Sequence, residues 1–402
     1  MSKKLRGKSD INWFVTAILV GLPIFVALGV TLYCMVYGCG WKEAILGIVT
    51  YYMANISVGI GLHRLWAHGS YKTNKVVEFI LMMISAGTLQ GPVLGWASHH
   101  KRHHAYADTD RDPHTPVKYE SKLKGFFWSH IGWMLVGDIA AENIDKGTMS
   151  TLGRSKMLKW QLENYGAVAT FMNVVPPMIF GWIVFGEISF QSTFAGLFFA
   201  GAGRALQQQM TFCVNSVCHM IGTKKYANDS SCDVWWLFFL LLGENWHNFH
   251  HAFGRDYRNG HKWYHADVHK WIIYMMLKVG LARDLVITPN ARIEAKMVEM
   301  HSNMRSDWQK KLENVEEIAE RLAVLAKQKI SAMEKSASEM ADSMASKAKQ
   351  RFKKLEESAE NLSRGIKTVV EHSEMISAKI VNEKIRQLKM LRKLAANLGL
   401  TI

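Results

Sequence analysis

The sequence predicts an all-α polytopic membrane protein, with four transmembrane helices in two hairpins, a cytoplasmic helical cap and a C-terminal coiled-coil-like helical extension. Three observations carry this expectation. Long uncharged runs occupy the first part of the 402 residues. The two short turns between those runs are poor in Lys and Arg. After residue 292 the composition changes to Glu, Lys, Ala, Ser, Met and Leu, with apolar residues at heptad spacing.

Residues 1–12 form a basic cytoplasmic N-terminus with Lys3, Lys4, Arg6 and Lys8. The uncharged run Phe14 to Val36 is long enough to cross a hydrocarbon core at ~1.5 Å per residue. It is too long for a signal-peptide core, and no small-residue cleavage site follows. A short connection, Tyr37–Glu43, leads to the second run, so spans at 14–36 and 44–62 make one hairpin. Spans at 168–185 and 194–214 make another, across a turn at 186–192 without Lys or Arg; Pro176-Pro177 predicts a kink in the third span. The N-terminus, the loop 63–167 and the cap 219–292 are rich in Lys and Arg, which places all three on the cytoplasmic side. Two further apolar stretches, Val76–Trp96 and Val234–Leu242, are read as helices in the interface or folded back towards it. The membrane domain is thus 13–292 and the tail 293–402, with heptad positions such as Ile318, Leu322, Leu325, Met333, Ala337, Met340 and Met344, then Leu355, Ala359, Leu362 and Ile366.

The formal charge of +15 brings no motif for base or phosphate recognition, so nucleic acid is excluded as a partner; cations facing an anionic leaflet account for it. The five cysteines contain no C-x-x-C pair, imply no disulfide framework or metal knuckle, and are read as small packing residues.

The 17 histidines are concentrated in three clusters: His63-Arg64-Leu65-Trp66-Ala67-His68, His100-Lys101-Arg102-His103-His104, and His247-Asn248-Phe249-His250-His251. In the two HxxHH clusters the imidazoles at i, i+3 and i+4 fall within about a 100° arc of a helix, so each cluster is expected to converge on one metal site. The first pair, at i and i+5, stands about 140° apart on a regular helix and so requires a helix end or a distorted turn. Imidazole favours Fe, Cu, Zn and Ni. Structural zinc uses four ligands and recruits Cys. Eight imidazoles on three segments point instead to two metals with open positions, hence redox or oxygen chemistry. His99, His114 and His130 are read as packing or supporting residues. His261, His265 and His269, at i, i+4 and i+8, are read as a solvated stripe on one helix.

HRLWAH, HHKRHH followed by Asp112-Pro113-His114, and GENWHNFHHAF together resemble the three-box signature of the membrane fatty acid desaturases, specifically the delta-9 group that includes the stearoyl-CoA desaturases. The resemblance covers about residues 11–285 and leaves the tail outside it. It implies two iron ions per chain, O2 as co-substrate, and ligation by His63, His68, His100, His103, His104, His219, His247, His250 and His251. His219 enters through Asn215-Ser216-Val217-Cys218-His219, in which Asn215 would hold a water on one iron. Trp96 and Thr211 match the pair that bends the acyl tunnel, and Gln90 matches a residue at its mouth. On their own these three would be packing residues. The chain departs from the animal enzymes at Ser98 and His99, where those enzymes carry an Arg-Asp pair that helps hold coenzyme A.

The resemblance therefore implies an integral membrane enzyme whose active site faces the cytoplasm, in a bacterial inner membrane or an endoplasmic reticulum. Its substrate would be a saturated acyl-CoA or a membrane acyl lipid. Electrons would come from a separate donor, a ferredoxin or a cytochrome b5 or similar protein with its reductase, since no haem-binding His-Pro segment is appended. The tail is a candidate for self-association. The alternative enzyme is a di-iron hydroxylase of alkanes or fatty acids, whose first box usually has three intervening residues where this chain has four. A scaffold whose tail is the working part is the reading from another class.

Overall fold

In the computed structural model, residues 11–136, 144–335, 342–372 and 376–400 are described, and most of them are helical. The basic residues Lys3 to Lys8 and the heptad positions Ala337 and Met340 lie outside the described residues. The chain divides into two compact units, Met1–Ile293 and Glu294–Ile402.

The first unit opens with α1, Trp13–Tyr37. The Asn12 side chain accepts from the Val15 amide at 3.2 Å and starts the helix; Gly38, at φ 77°, ends it. Leu28, Leu32 and Met35 are exposed on α1, as a lipid-facing helix requires and a water-facing one does not. A disulfide, Cys34–Cys39, ties the last turn of α1 to the connection that follows it, which corrects the expectation that the cysteines only pack. Helix α2, Trp41–Ala67, starts where Glu43 accepts from the Gly40 amide at 2.9 Å, and its last stretch, Ser57–Ala67, is a π-helix. The two short strands Lys72–Thr73 and Ala282–Arg283 pair antiparallel, with Lys72 opposite Arg283, and tie the exit of α2 to the end of the unit.

The apolar stretch Val76–Trp96 is not one helix. It divides into α3, Lys75–Gly87, and α4, Val93–Tyr106, separated by a break in which Leu89 and Gly91 have positive φ. Val234–Leu242 forms only short turns, Trp235–Leu237 and Phe238–Leu241, held to α2 by Tyr51 and Asn55 side chains donating to the Leu240 carbonyl at 2.6 and 2.8 Å.

Helices α5, Tyr165–Phe185, and α6, Phe190–Ser216, form the second hairpin; Pro176 and Pro177 lie inside α5 without ending it. Gly203 on α6 lies against the backbone of Gly47 on α2, where a Cβ would collide with the Gly47 carbonyl; a small residue there lets the two helices approach closely.

Among the described residues, three helices are long and apolar enough to cross a membrane: α1, α2 and α5. Helix α6 is as long as α2 but carries buried Arg204, Gln207 and Gln208. Its amides are used inside the protein. Gln208 donates to the Thr88 and Leu89 carbonyls at 3.2 and 3.1 Å, and Gln207 to the Thr211 hydroxyl at 2.7 Å.

Two shorter helices of the cap, α7, His247–Ala252, and α8, Val268–Lys278, precede α9, Asn290–Lys335, whose residues from Glu294 onward belong to the second unit together with α10, Asp342–Glu371, and α11, Ala378–Asn397. Leu312, Leu322, Leu355, Leu362, Ile366 and Leu388 share one buried core.

Candidate metal centre

The first histidine pair stands on the π-helical end of α2. The His68 amide donates to the His63 carbonyl at 3.1 Å, an i→i+5 bond. In a helix of that pitch five residues return the chain to nearly the same side, so His63 and His68 face one point instead of diverging. Gly59 is required in this stretch, because a Cβ there would overlap the imidazole of His269. The second cluster lies along α4 and the third on the short helix α7.

Nine histidines form two groups, in each of which the ligand atoms lie within 4.8 Å of one another: His63, His68, His100, His104 and His250 in one, His103, His219, His247 and His251 in the other. Each HxxHH cluster is thus split, against the expectation of one site per cluster. From α4, positions i and i+4 (His100, His104) join the first group and i+3 (His103) the second. From α7 the roles are exchanged: His247 and His251 join the second group and His250 the first. Residues i and i+4 stand one above the other on a helix while i+3 leans to the other flank, so a helix laid between two centres serves both.

Within the groups the Nε2 atoms converge. His63 and His250 are 2.8 Å apart, His68 and His100 2.8 Å, His104 and His250 2.9 Å. In the second group His219 and His247 are 3.0 Å apart, His247 and His251 3.1 Å, and His103 and His251 3.3 Å.

The other ring nitrogens show what occupies such a space. His103 Nδ1 lies 2.9 Å from Asp112 Oδ1, and His251 Nδ1 lies 2.7 Å from Asp229 Oδ2. His219 Nδ1 lies 2.8 Å from the Ser230 hydroxyl, which in turn donates to Asp108 at 2.5 Å. A carboxylate only accepts, so it fixes the proton on Nδ1 and leaves Nε2 as a bare lone pair. The lone pairs of His103 and His251 therefore face each other at 3.3 Å, an arrangement that repels unless a cation lies between them. The donor set fits a metal ion.

The electrostatics agree. Burial, reinforced by neighbouring imidazoles, pushes His68, His100, His104, His219, His247 and His250 well below the ordinary histidine range. These rings are neutral at pH 7, the form that ligates. Burial would raise Glu244, but His63 and Arg64 outweigh it and hold the carboxyl well below its usual range. Glu244 reaches His63 Nδ1 at 2.7 Å, Arg64 Nη2 at 3.2 Å, His269 Nδ1 at 3.0 Å and Asn259 Nδ2 at 2.8 Å. Asp267 takes the other side of Arg64, at 3.0 Å from Nη2.

Glu244, Asp229, Asp108 and Asp267 were not singled out by the sequence. Glu244 has a signal, standing three residues before His247; Asp229 has none, since the loop that carries it is placed by Asn248, whose side-chain oxygen accepts from the Lys225 and Tyr226 amides at 2.7 and 2.8 Å. The expected stripe of His261, His265 and His269 does not exist as one helix face, because α8 starts only at Val268. His261 instead stacks on Phe249 at 4.6 Å and His265 on Trp246 at 4.0 Å, while His269 is buried against Glu244. His114 is buried with its ring 4.1 Å from His103. The ring of His99 lies 5.7 Å from Trp133, and His130 bridges Ser216 and Gln209 at 3.0 and 3.2 Å.

A cavity of about 240 Å³ adjoins the first group. Gln90, Trp96, His100, Thr211 and Asn215 are among its walls, with Phe14 of α1. Trp96 stacks on His100 with ring centres 4.9 Å apart. Gln90 Nε2 is 3.4 Å from Gln207 Oε1 and 3.5 Å from Thr211 Oγ1.

Residues 39–282 match the protein family described as fatty acid desaturase. The chain is 32% identical over 304 residues to a probable acyl-CoA desaturase of Schizosaccharomyces pombe, covering 75% of this chain and 60% of that protein. It is 31% identical over 299 residues to a Delta(9)-fatty-acid desaturase of Caenorhabditis elegans, covering 73% and 86% respectively. A Delta-9 acyl-lipid desaturase of Arabidopsis thaliana is 29% identical over 290 residues, covering 71% of this chain and 88% of that protein.

Proposed function

Because this chain belongs to the fatty acid desaturase family, we propose that it is a membrane enzyme that introduces a cis double bond, at the delta-9 position, into saturated acyl chains. The observation that carries this is the paired arrangement of Nε2 atoms beside a largely apolar cavity. His63, His68, His100, His104 and His250 would hold one iron, and His103, His219, His247 and His251 the other. Asn215 stands on the cavity wall, where a bound water would link it to the metal. With both irons in place, dioxygen, two electrons, two protons and two hydrogens from adjacent methylenes give an alkene and two waters.

The chain's own residues bind, orient and exclude water. Asp112, Asp229, Ser230 and Glu244 keep the imidazoles turned with Nε2 inward. A methylene chain has no polar handle, and one methylene in an apolar pocket discriminates by only about 1–3 kcal/mol. Bond position is therefore set by where the head group is anchored and where Trp96 and Thr211 bend the wall. Gln90 lies at the mouth of this tunnel. Ser98 and His99 are buried, and Ser98 accepts from the Asp145 amide at 2.8 Å, so neither is turned out to meet coenzyme A. With Phe14 of a lipid-facing helix in the cavity wall, a membrane acyl lipid is the favoured carrier and acyl-CoA the alternative.

Helix α6 is the fourth crossing, its polar residues turned to the protein interior as intramembrane polar groups are. Both termini, the 63–167 loop and the cap then face the cytoplasm. The Cys34–Cys39 bond falls in the turn on the opposite, oxidising side, where disulfides persist. The 13–292 segment is the catalytic domain, and electrons arrive from a separate donor protein.

The test is expression in a host lacking delta-9 unsaturation, with mass spectrometry of whole lipids and iron analysis of the purified protein. The chain should yield alkenyl lipids and about two irons per molecule; His103→Ala or His250→Ala should abolish the product and lower the iron. Hydroxylated chains instead of alkenyl ones, or full turnover in either variant, defeats the assignment.

A further inference from the structure

Helix α11 is unlike its two partners in the tail. It carries six cations (Lys379, Lys384, Arg386, Lys389, Arg392 and Lys393) against one acid, Glu383, a surplus of five. Helix α9 has nine basic against eight acidic residues, and α10 seven against five. Some charges of α9 and α10 pair across the helices, Lys367 2.9 Å from Glu320 and Lys349 with Glu334, while others, such as Lys310 and Lys327, have no ion pair among the described residues. Among the described residues, Arg386 alone of the α11 cations has an acid partner, Glu383 at 3.2 Å, and Lys379, Lys389, Arg392 and Lys393 have no ion pair.

The apolar side of α11 is already used. Val381, Leu388, Leu391 and Ala395 are buried in the tail's own core. At 100° per residue, Lys379, Arg386, Met390 and Lys393 point away from that core, with Lys389 and Arg392 on one flank. All of these cations are exposed, and Met390, 60% exposed, stands among them. The row from Lys379 to Lys393 is about 21 Å long. A solvated helix needs no such surplus, and a face of this kind, cationic with one apolar side chain at its centre, is complementary to an anionic lipid surface.

We propose that the exposed face of α11 binds the anionic phospholipid surface of the membrane in which the chain is embedded. The tail is covalently joined to a membrane domain, so the contact forms at high effective concentration and requires only weak charge attraction. The same surface potential that favours cytoplasmic Lys and Arg then supplies the partner for residues the tail itself leaves unpaired. The readout below is independent of iron and of turnover, so its failure would leave the desaturase assignment standing.

The experiment uses the full chain in lipid nanodiscs, which leave both membrane faces open, made of phosphatidylcholine alone or with one third phosphatidylglycerol. Lysines are acetylated briefly with a neutral reagent and quantified by mass spectrometry. Labelling of Lys379, Lys389 and Lys393 should fall by about threefold or more in the anionic discs and recover in 0.5 M salt, where the Debye length is only about 4 Å. Exposed Lys310 and Lys327 on α9 serve as internal controls and should not change. The variant R386E/R392E, which keeps all three reporter lysines, should abolish the protection. Equal labelling in both discs overturns the proposal. So does protection that appears only when an acidic electron carrier is added, which would make a protein the partner.

Discussion

Asp112 and Asp229 act on the histidine groups without reaching between their Nε2 atoms: each accepts the Nδ1 proton of one histidine and so decides that Nε2 is the free lone pair. Burial would push Asp229 up, but the hydrogen bond and charge of His251 and the Ser231 bonds hold it below the usual carboxylate range. Asn at this position can still accept, without the charge that raises the basicity of His251. Loss of such a partner typically costs 10–100-fold in metal affinity or activity. Asp229→Asn is therefore expected to lose iron at about 10-fold lower chelator concentration, as followed by metal analysis after dialysis, with its secondary structure intact. His261 and His265 are held differently. Both are pushed down to about 4, by burial first and then by the positive charges of Arg258 and Lys262 around His261 and by His261 and Lys270 around His265. Their folded pKa lies below the unfolded value of about 6.5, so the unfolded chain binds more protons between the two. Stability is fully present above pH 6.5 and declines as pH falls towards 4. His265→Gln cannot titrate. Its melting temperature, measured by calorimetry from pH 7.5 to 4.5, should fall less steeply than that of the parent; parallel curves would remove His265 from the account.

The π-helical end of α2 shows what was legible at the level of elements and what was not. The i, i+5 spacing of His63 and His68 already excluded a regular helix, and the distorted turn is where that spacing placed it. Its identity as a π-helix depends on tertiary contacts, Gly59 against His269 among them, which are remote in sequence. The HxxHH spacing likewise marked α4 and α7 as helices with converging imidazoles. It did not reveal that each helix contributes to both histidine groups, because that depends on where the opposite helix stands. The supporting layer was least legible: Asp229 sits in a loop whose position comes from Asn248, and no periodicity marks a loop. The pitch of the π-helix has a testable consequence. Moving the second histidine back by one position, in Ala67→His with His68→Ala, would suit a regular helix, where i and i+4 share a face. On the π-helix it turns the imidazole off the five-histidine group. The double variant should lose the alkenyl product as completely as His68→Ala alone; activity restored by the added histidine would show that the turn relaxes to α-helical pitch.

At the scale of the whole chain, the composition changes near residue 292, and the chain divides into two compact units at Ile293 and Glu294. The heptad spacing of the tail announced helices with an apolar seam, but such a seam is the same whether it faces a second chain or a neighbouring helix of its own. In the structure that seam is occupied from within, by a core that among the described residues draws on positions 308–400. A helix whose apolar stripe is already covered has little left to drive dimerisation. Every histidine of the two groups, and every carboxylate that orients them, lies between His63 and Asp267. The catalytic unit should therefore survive removal of the tail. Ending the chain after Asn303 retains Ile293 and Met300, which are both buried. The truncated protein is expected to keep its iron and to give an unsaturated lipid fraction within about twofold of the full chain's, a change of under about 0.5 kcal/mol in the barrier. Iron analysis and lipid mass spectrometry on matched membrane preparations check both halves. Loss of product with iron retained would assign the tail to electron delivery, and loss of iron would show that the first unit does not hold its centre alone.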